Sequence, residues 1–116
     1  MYKRQPYQRG LEKFTIAELD RSSNVHAWIK NERIGFKVRY YYDGVYHMYE
    51  PDFIIKMANE VNLILETKGL KRDKDEAKWT QMKEWVRAVN SEVRFGKWEF
   101  QIAYSCLLYT SDAADE

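Results

Sequence analysis

This 116-residue sequence has little cysteine, no long apolar run and almost no net charge. Its single cysteine, Cys106, leaves no partner for a disulfide and no thiolate set for a structural zinc site. No apolar run approaches the roughly 18 residues of a membrane span, and the N-terminus lacks the pattern of a signal peptide. A formal charge of +1 gives no overall basic field, although basic groups can still act locally. We expect one soluble domain, located in the cytoplasm.

Both ends of the chain resemble translated sequencing adapter. The tail CLLYTSDAADE, residues 106–116, matches a translation of a transposon-type adapter, and MYKRQ at residues 1–5 matches the opposite strand of the same element. We therefore expect residues 1–5 and 106–116 to be non-native ends. Residues 6–105 are expected to be a domain-sized fragment of a longer gene product. Because Cys106 lies in the tail, a cysteine nucleophile is not expected.

The sequence is well supplied with core-forming residues, since 45% are hydrophobic and 16% are aromatic. Apolar spacing predicts helices over 11–19 and 75–90. Residues 21–24 are expected to break the first helix, and a short turn carrying Val25, Trp28 and Ile29 is expected to follow. Asp43-Gly44 predicts a hairpin turn. The segments with strand-like composition are 34–42, 45–49, 52–57, 61–68 and 99–104. The predicted fold class is α/β (α+β), a mixed β-sheet flanked by helices in the order α-β-β-β-β-α-β.

A hairpin with carboxylates at its open end is the feature that points to chemistry. In EPDFIIKMANEVNLILETKG, residues 50–69, a three-residue loop at 58–60 would place Asp52 directly opposite Glu66. Lys68, two residues beyond Glu66, would face the same side of the sheet. The three side chains are therefore predicted to converge. A slip of one residue would send the two carboxylates to opposite faces.

Two facing carboxylates at the end of an apolar strand repel each other, so that one pKa rises or a cation joins them. Mg²⁺ is the cation that fits best, because it prefers oxygen ligands and is usually held by one or two carboxylates. Such an ion can activate a water molecule and neutralise charge on a phosphoryl group. Lys68 would stabilise that charge or orient the attacking water. The pattern predicts hydrolysis of a phosphodiester, and a solvated ion pair without activity is the competing interpretation.

Pro51-Asp52 followed by Glu66-Thr67-Lys68 resembles the PD-(D/E)xK motif of the restriction-endonuclease-like nucleases. The run YEPDFIIKMANEVNLILETKGLKRDKDEAKWTQMKEWVRAVN is similar, more narrowly, to the C-terminal nuclease domain of the type III restriction enzyme Res subunit. Together with the upstream WIKNERIGFKVRYYYDGVYHMYEPDF, the resemblance covers most of residues 6–105. It implies a restriction-endonuclease-like core and a Mg²⁺-dependent endonuclease that hydrolyses DNA phosphodiester bonds.

The resemblance also implies roles for single residues. Asp52 and Glu66 would be Mg²⁺ ligands, the backbone carbonyl of Thr67 would supply a further ligand, and Mn²⁺ could substitute. Lys68 would be the catalytic lysine. Relatives often add a carboxylate from the first helix, for which Glu12 is the candidate and Glu18 the alternative.

Two further expectations concern the helix at 75–90. Lys78 is a candidate for contacting a DNA phosphate, although a solvated helix face would explain it as well. Asp73 or Asp75 is expected to cap the start of this helix. The tyrosines of 40–49 could stack on bases, but a hairpin with alternating packed and exposed aromatics is the simpler interpretation.

The expected partner is double-stranded DNA. In a full-length Res-type protein, a helicase domain would precede the nuclease domain, and a methyltransferase (Mod) subunit would read the sequence. Another PD-(D/E)xK nuclease, of the transposase or repair type, is the nearest alternative. A catalytically inert DNA-binding or structural module is the alternative from a different class.

Overall fold

The computed structural model describes residues 6–32 and 34–104. These residues form a mixed α+β fold, as predicted, with helices α1 (Pro6–Arg21) and α2 (Asp75–Asn90). The strands are β1 (Val25–Lys30), β2 (Val38–Tyr42), β3 (Val45–Tyr49), β4 (Phe53–Met57), β5 (Asn62–Lys68) and β6 (Trp98–Tyr104), with a short 3₁₀ helix at Val93–Phe95. Neither helix is long and apolar enough to cross a membrane. The predicted non-native ends lie outside the described residues.

The strands form two separate sheets. One is a four-stranded sheet in the order β1-β4-β5-β6, in which β5 and β6 are parallel and the other neighbours antiparallel. The other is the hairpin β2–β3, which turns at Asp43 and Gly44. Both turn residues have positive φ, 53° and 77°, as a two-residue hairpin turn of this kind requires. The single mixed sheet that the sequence suggested is therefore divided between a mixed sheet and a hairpin.

The predicted order of elements was wrong by one strand. Residues 25–30 form β1 instead of a short turn, so that five strands, not four, lie between the two helices. β1 pairs antiparallel with β4, with Trp28 opposite Ile55 and Lys30 opposite Phe53. It lies at the edge of the sheet, and its register shifts between Val25 and Ala27. The bulge and the exposed positions remove the regular alternation from which a strand is predicted.

The main core lies between α2, the β2–β3 hairpin and one face of the four-stranded sheet. Ile64 of β5 is completely buried and belongs to one cluster with Trp79 and Met82 of α2. The hairpin contributes Tyr40 and Tyr49 to the same cluster. The structure thus fixes α2 and the end of β3 on the same side of β5.

The two faces of the four-stranded sheet carry different helices. Because side chains alternate along a strand, Glu66 projects to the same face as Ile64, which is the α2 face. Phe53 and its partner residue on β5 project to the opposite face. That face belongs to α1, since Glu12 pairs with Lys30 of β1 and the Trp28 indole donates to Asp20 of α1.

Candidate active site

The hairpin β4–β5 has the register that the loop length predicted. Its partners run from Phe53 with Leu65 to Lys56 with Asn62. The loop closes with the N–H of Met57 donating to the carbonyl of Val61 at 2.8 Å. Continuing the register by one residue beyond Phe53 and Leu65 sets Asp52 opposite Glu66. The predicted register is therefore confirmed for β4 and β5, and the apposition of Asp52 with Glu66 follows from extending it by one pair.

The Asp52 side chain is tied to the neighbouring strand. Its Oδ2 accepts hydrogen bonds from the N–H of Thr67 at 2.9 Å and from Thr67 Oγ1 at 2.7 Å. The Asp52 carbonyl accepts the N–H of Asn31 at 2.8 Å. Asp52 is half-buried, and these contacts hold its carboxylate in one orientation just before β4 begins.

Asn31, which sequence reasoning did not single out, fixes the chain on the other side of Asp52. Its side chain is buried, and its Nδ2 donates to the carbonyls of Phe36 and Pro51, each at 2.9 Å. Its Oδ1 accepts the N–H of Phe36 at 3.3 Å. One amide thus joins the end of β1, the segment before β2 and the Pro51-Asp52 corner.

Asn31→Ala is expected to lower the free energy of unfolding by about 1–3 kcal/mol, because it removes the donor to the carbonyls of Pro51 and Phe36, of which the first hydrogen bond is buried and the second half-buried. Urea denaturation monitored by circular dichroism measures the change. Asn24→Ala is the matched control, since the Asn24 side chain is exposed. Equal stability losses in the two variants would contradict the structural role of Asn31.

Glu66 is a buried carboxyl group on the α2 face, with only 7% of the residue exposed. Its Oε1 has no hydrogen-bond partner among the described residues. Burial raises the pKa of Glu66 to about 8, and the charge of Asp52 contributes to the rise. The Lys78 ammonium, the neighbouring Tyr49 hydroxyl and the Lys68 ammonium oppose it. A carboxyl group in this environment needs a proton or a cation.

Lys68 and Lys78 converge on a second buried carboxylate, that of Asp75. Lys68 Nζ lies 3.3 Å from Asp75 Oδ2, and Lys78 Nζ lies 3.4 Å from Asp75 Oδ1. Oδ2 also accepts the N–H of Arg72 at 2.6 Å. Burial alone would raise the pKa of Asp75, but the Arg72 N–H and the two ammonium groups hold it below its usual range. Asp75 is therefore the charged partner of both lysines.

Lys78 faces the site and not only solvent. Its ammonium group lies 5.0 Å from the centre of the Tyr49 ring, in addition to its contact with Asp75. This position agrees with the sequence-based choice of Lys78, whose contact with DNA stays a prediction.

The carboxylates of α1 have partners of their own. Glu12 is buried, and its Oε1 lies 3.0 Å from Lys30 Nζ on the α1 face of the sheet, whereas Glu66 projects from the α2 face. Glu18 is exposed and pairs with Arg21 at 2.7 Å. In the described part of the chain, no three acidic, histidine or cysteine side chains form a ready-made metal site. A metal-binding role for Glu12 stays a prediction.

Asp75 and Tyr49 belong to the site but were not assigned to it from the sequence. The expected side-chain cap of α2 is wrong, because the N-cap residue is Lys74 and no side chain caps it. Asp75 instead turns inward, with 1% exposure. The charged residues on either side of Asp75 in the sequence do not indicate that it is buried. Tyr49 resembled its neighbouring tyrosines, and only its position at the end of β3 distinguishes it.

The candidate site thus lies just before β4, at the ends of β3 and β5 and at the start of α2. It consists of Tyr49, Asp52, Glu66, Lys68, Asp75 and Lys78. It combines a half-buried carboxylate, a buried carboxyl group without a hydrogen-bond partner on Oε1, and two lysines held by one buried aspartate. Comparison with known proteins finds no matching family model, curated protein or solved structure. Its chemistry is therefore inferred from the residues and their geometry.

Proposed function

We propose that this chain is the cleavage domain of a Mg²⁺-dependent DNA endonuclease, with a restriction-endonuclease-like core of the type III Res class. The observation that carries the proposal is the buried Glu66 Oε1, which has no hydrogen-bond partner among the described residues. Extending the β4–β5 register by one pair sets the Glu66 position opposite Asp52. Lys68 follows two residues later on the same strand. A mixed sheet with α1 on one face and α2 on the other supports the proposed core.

The residues fit a hard divalent cation. Asp52 and Glu66 offer carboxylate oxygens and Thr67 offers a backbone carbonyl, which are the ligands that Mg²⁺ prefers. The two hydrogen bonds from Thr67 to Asp52 Oδ2 orient that carboxylate, as outer-shell contacts do around metal ions. Mn²⁺ takes the same oxygen ligands and is expected to substitute. When bound, the ion would lower the pKa of a water molecule and offset charge on the phosphoryl group.

The two lysines carry positive charge that is expected to interact with the phosphates of the substrate. Lys68 is expected to stabilise the charge that builds up on the scissile phosphate. Lys78 is expected to contact a phosphate of the DNA backbone, an interaction that salt weakens. Both side chains are largely buried, at 10% and 15% exposure, so their charges are less screened than those of surface lysines.

The biological setting belongs to the same proposal. The substrate is double-stranded DNA, and in the full protein a helicase domain and a methyltransferase subunit would control where it is cut. A transposase or repair nuclease with the same motif would use the same site chemistry without these partners.

Mg²⁺ binding and DNA cleavage are expected to depend on Glu66. The protein should bind Mg²⁺ in a calorimetric titration and nick supercoiled plasmid with Mg²⁺ or Mn²⁺, but not with EDTA. Glu66→Gln should weaken Mg²⁺ binding by at least the roughly 10–100-fold that outer-shell changes cost, and it should abolish nicking.

Glu60→Gln is the matched control, because it makes the same change in the exposed loop of the same hairpin, where the side chain is 78% exposed. Unchanged Mg²⁺ affinity in Glu66→Gln would contradict the metal site. Mg²⁺ binding without any nicking would instead support the inert DNA-binding or structural module.

A further inference from the structure

Asp75 is a buried charge that the cleavage chemistry proposed above does not use. It is 1% exposed, although it stands in the first turn of α2 amid a strongly charged segment. An aspartate at this position of a helix is ordinarily solvated, where it complements the positive end of the helix dipole. Burying an ion costs several kcal/mol unless its partners offset the loss of water. The partners of Asp75 therefore explain why it lies inside.

Those partners come from two different elements and meet on one carboxylate. Lys68 ends β5 and approaches Oδ2, while Lys78 lies three residues into α2 from Asp75 and approaches Oδ1. The Arg72 N–H bond to Oδ2 fixes the carboxylate itself. Without this negative charge the two ammonium groups would repel each other, and their flexible four-carbon stems would have no fixed direction.

The two contacts are ionic but not tight. Their lengths, 3.3 and 3.4 Å, exceed the roughly 2.7–2.9 Å of a charge-assisted N–H···O bond. Asp75 Oδ1 makes no regular hydrogen bond among the described residues, so its link with Lys78 is one of charge alone. The ammonium groups are thus held at Asp75 and still have donors available for an incoming anion.

We propose that Asp75 is the positioning residue of the site, holding the Lys68 and Lys78 ammonium groups side by side next to Glu66 so that both face one phosphodiester. This inference rests on the proposed nuclease function. Asp75 contacts neither DNA nor metal ion in this scheme and acts through the two lysines. Lys68 projects from the same face of β5 as Glu66, and the Lys78 ammonium lies 5.0 Å from the centre of the Tyr49 ring at the end of β3.

Asp75→Asn tests the proposal with little change of shape, because the amide oxygen can still accept the Arg72 N–H. Losing the charge should lower kcat by up to roughly 10²-fold, the cost of misplacing a reacting group. The Mg²⁺ affinity should change little, because Asp75 is not a metal ligand in this scheme, whereas KM should rise to the extent that the Lys78 contact with the DNA backbone weakens. A general structural defect would lower Mg²⁺ affinity and stability together, without this separation.

Glu76→Gln is the matched control. It removes a carboxylate from the next residue of the same helix turn, where Glu76 is exposed and pairs with Lys71. Its kcat should equal that of the unchanged protein. A wild-type kcat in a folded Asp75→Asn variant would overturn the proposal.

A second measurement does not depend on cleavage. With ¹⁵N-labelled lysine, the Nζ resonances of Lys68 and Lys78 should both move in Asp75→Asn and stay in place in Glu76→Gln. If the protein nicks no DNA but both resonances move together, the nuclease function fails while the arrangement of Asp75 with its lysines stands. If neither resonance moves, the arrangement itself is refuted.

Asp75→Glu keeps the test decisive if Asp75→Asn does not fold. It retains the negative charge and moves the carboxylate by one methylene group. A folded Asp75→Glu with lowered kcat and unchanged Mg²⁺ affinity supports the positioning role, and a folded variant with wild-type kcat refutes it.

Discussion

Lys68→Met is expected to remove DNA cleavage while leaving the fold and Mg²⁺ binding in place. Lys68 projects from the same face of β5 as Glu66, and its ammonium group is expected to face the scissile phosphate. It cannot ligate a cation. Removing one preorganised group that stabilises developing charge costs roughly 10²–10³-fold in kcat. Asp75 keeps its Arg72 N–H bond and the Lys78 ammonium in this variant, so the remaining carboxylate is not left without partners.

Single-turnover cleavage of plasmid DNA measures the effect, and a calorimetric Mg²⁺ titration shows whether the metal site survives. Lys71→Met is the matched control, since it removes the same group from an exposed side chain three residues further along. Equal losses of cleavage rate in both variants would indicate that removing either positive charge weakens DNA binding in general. A wild-type rate in Lys68→Met would assign the chemistry to another residue.

The parts of the fold that could be predicted are those that local chemistry determines. The bounds of α2 follow from apolar residues at helical spacing, and the turn of the β2–β3 hairpin follows from Asp43-Gly44. The register of β4 and β5 follows from a three-residue loop, which fixes every pair along the ladder. Extended by one pair, this register sets the position of Asp52 opposite that of Glu66.

The parts that could not be predicted depend on tertiary packing. β1 lies at a sheet edge with a bulge, and the hairpin packs on α2 instead of joining the larger sheet. Neither fact produces a periodic pattern of apolar residues in the sequence. The burial of Asp75 has the same origin, because it depends on where the end of β5 meets the start of α2. A lysine within a charged run looks solvated until a partner such as Asp75 is located.

The surroundings of the two buried carboxyl groups of the site shift their pKa values in opposite directions. Burial and Asp52 raise the pKa of Glu66 to about 8, whereas the Arg72 N–H and two lysines hold the pKa of Asp75 below its usual range despite burial. In the absence of metal at neutral pH, Glu66 is therefore mostly protonated and Asp75 is charged. Such a division of pKa values between neighbouring groups is characteristic of sites that bind ions or transfer protons.

Glu66→Gln is expected to stabilise the metal-free protein at a pH above 8, by a few kcal/mol relative to the unchanged chain. The pKa of Glu66 is about 8 in the folded protein against an ordinary value of 4.5, so the folded state binds the extra proton. The stability that this neutral acid contributes is fully present below pH 4.5 and is lost as the pH rises to about 8. Each unit of pKa corresponds to about 1.4 kcal/mol. Glutamine keeps the shape of the neutral acid and does not titrate.

Urea denaturation in EDTA, at a pH near 4.5 and at a pH above 8, measures the difference in unfolding free energy between the two proteins. Glu60→Gln should show no such pH-dependent difference, because Glu60 is exposed. Saturating Mg²⁺ should then restore stability to the unchanged protein above pH 8, by about 2.7 kcal/mol at 100 times the Kd, and should leave Glu66→Gln unaffected. A stability difference that is the same at both pH values would show that Glu66 is ionised without cost. The electrostatic strain that makes a cation necessary at this site would then be absent.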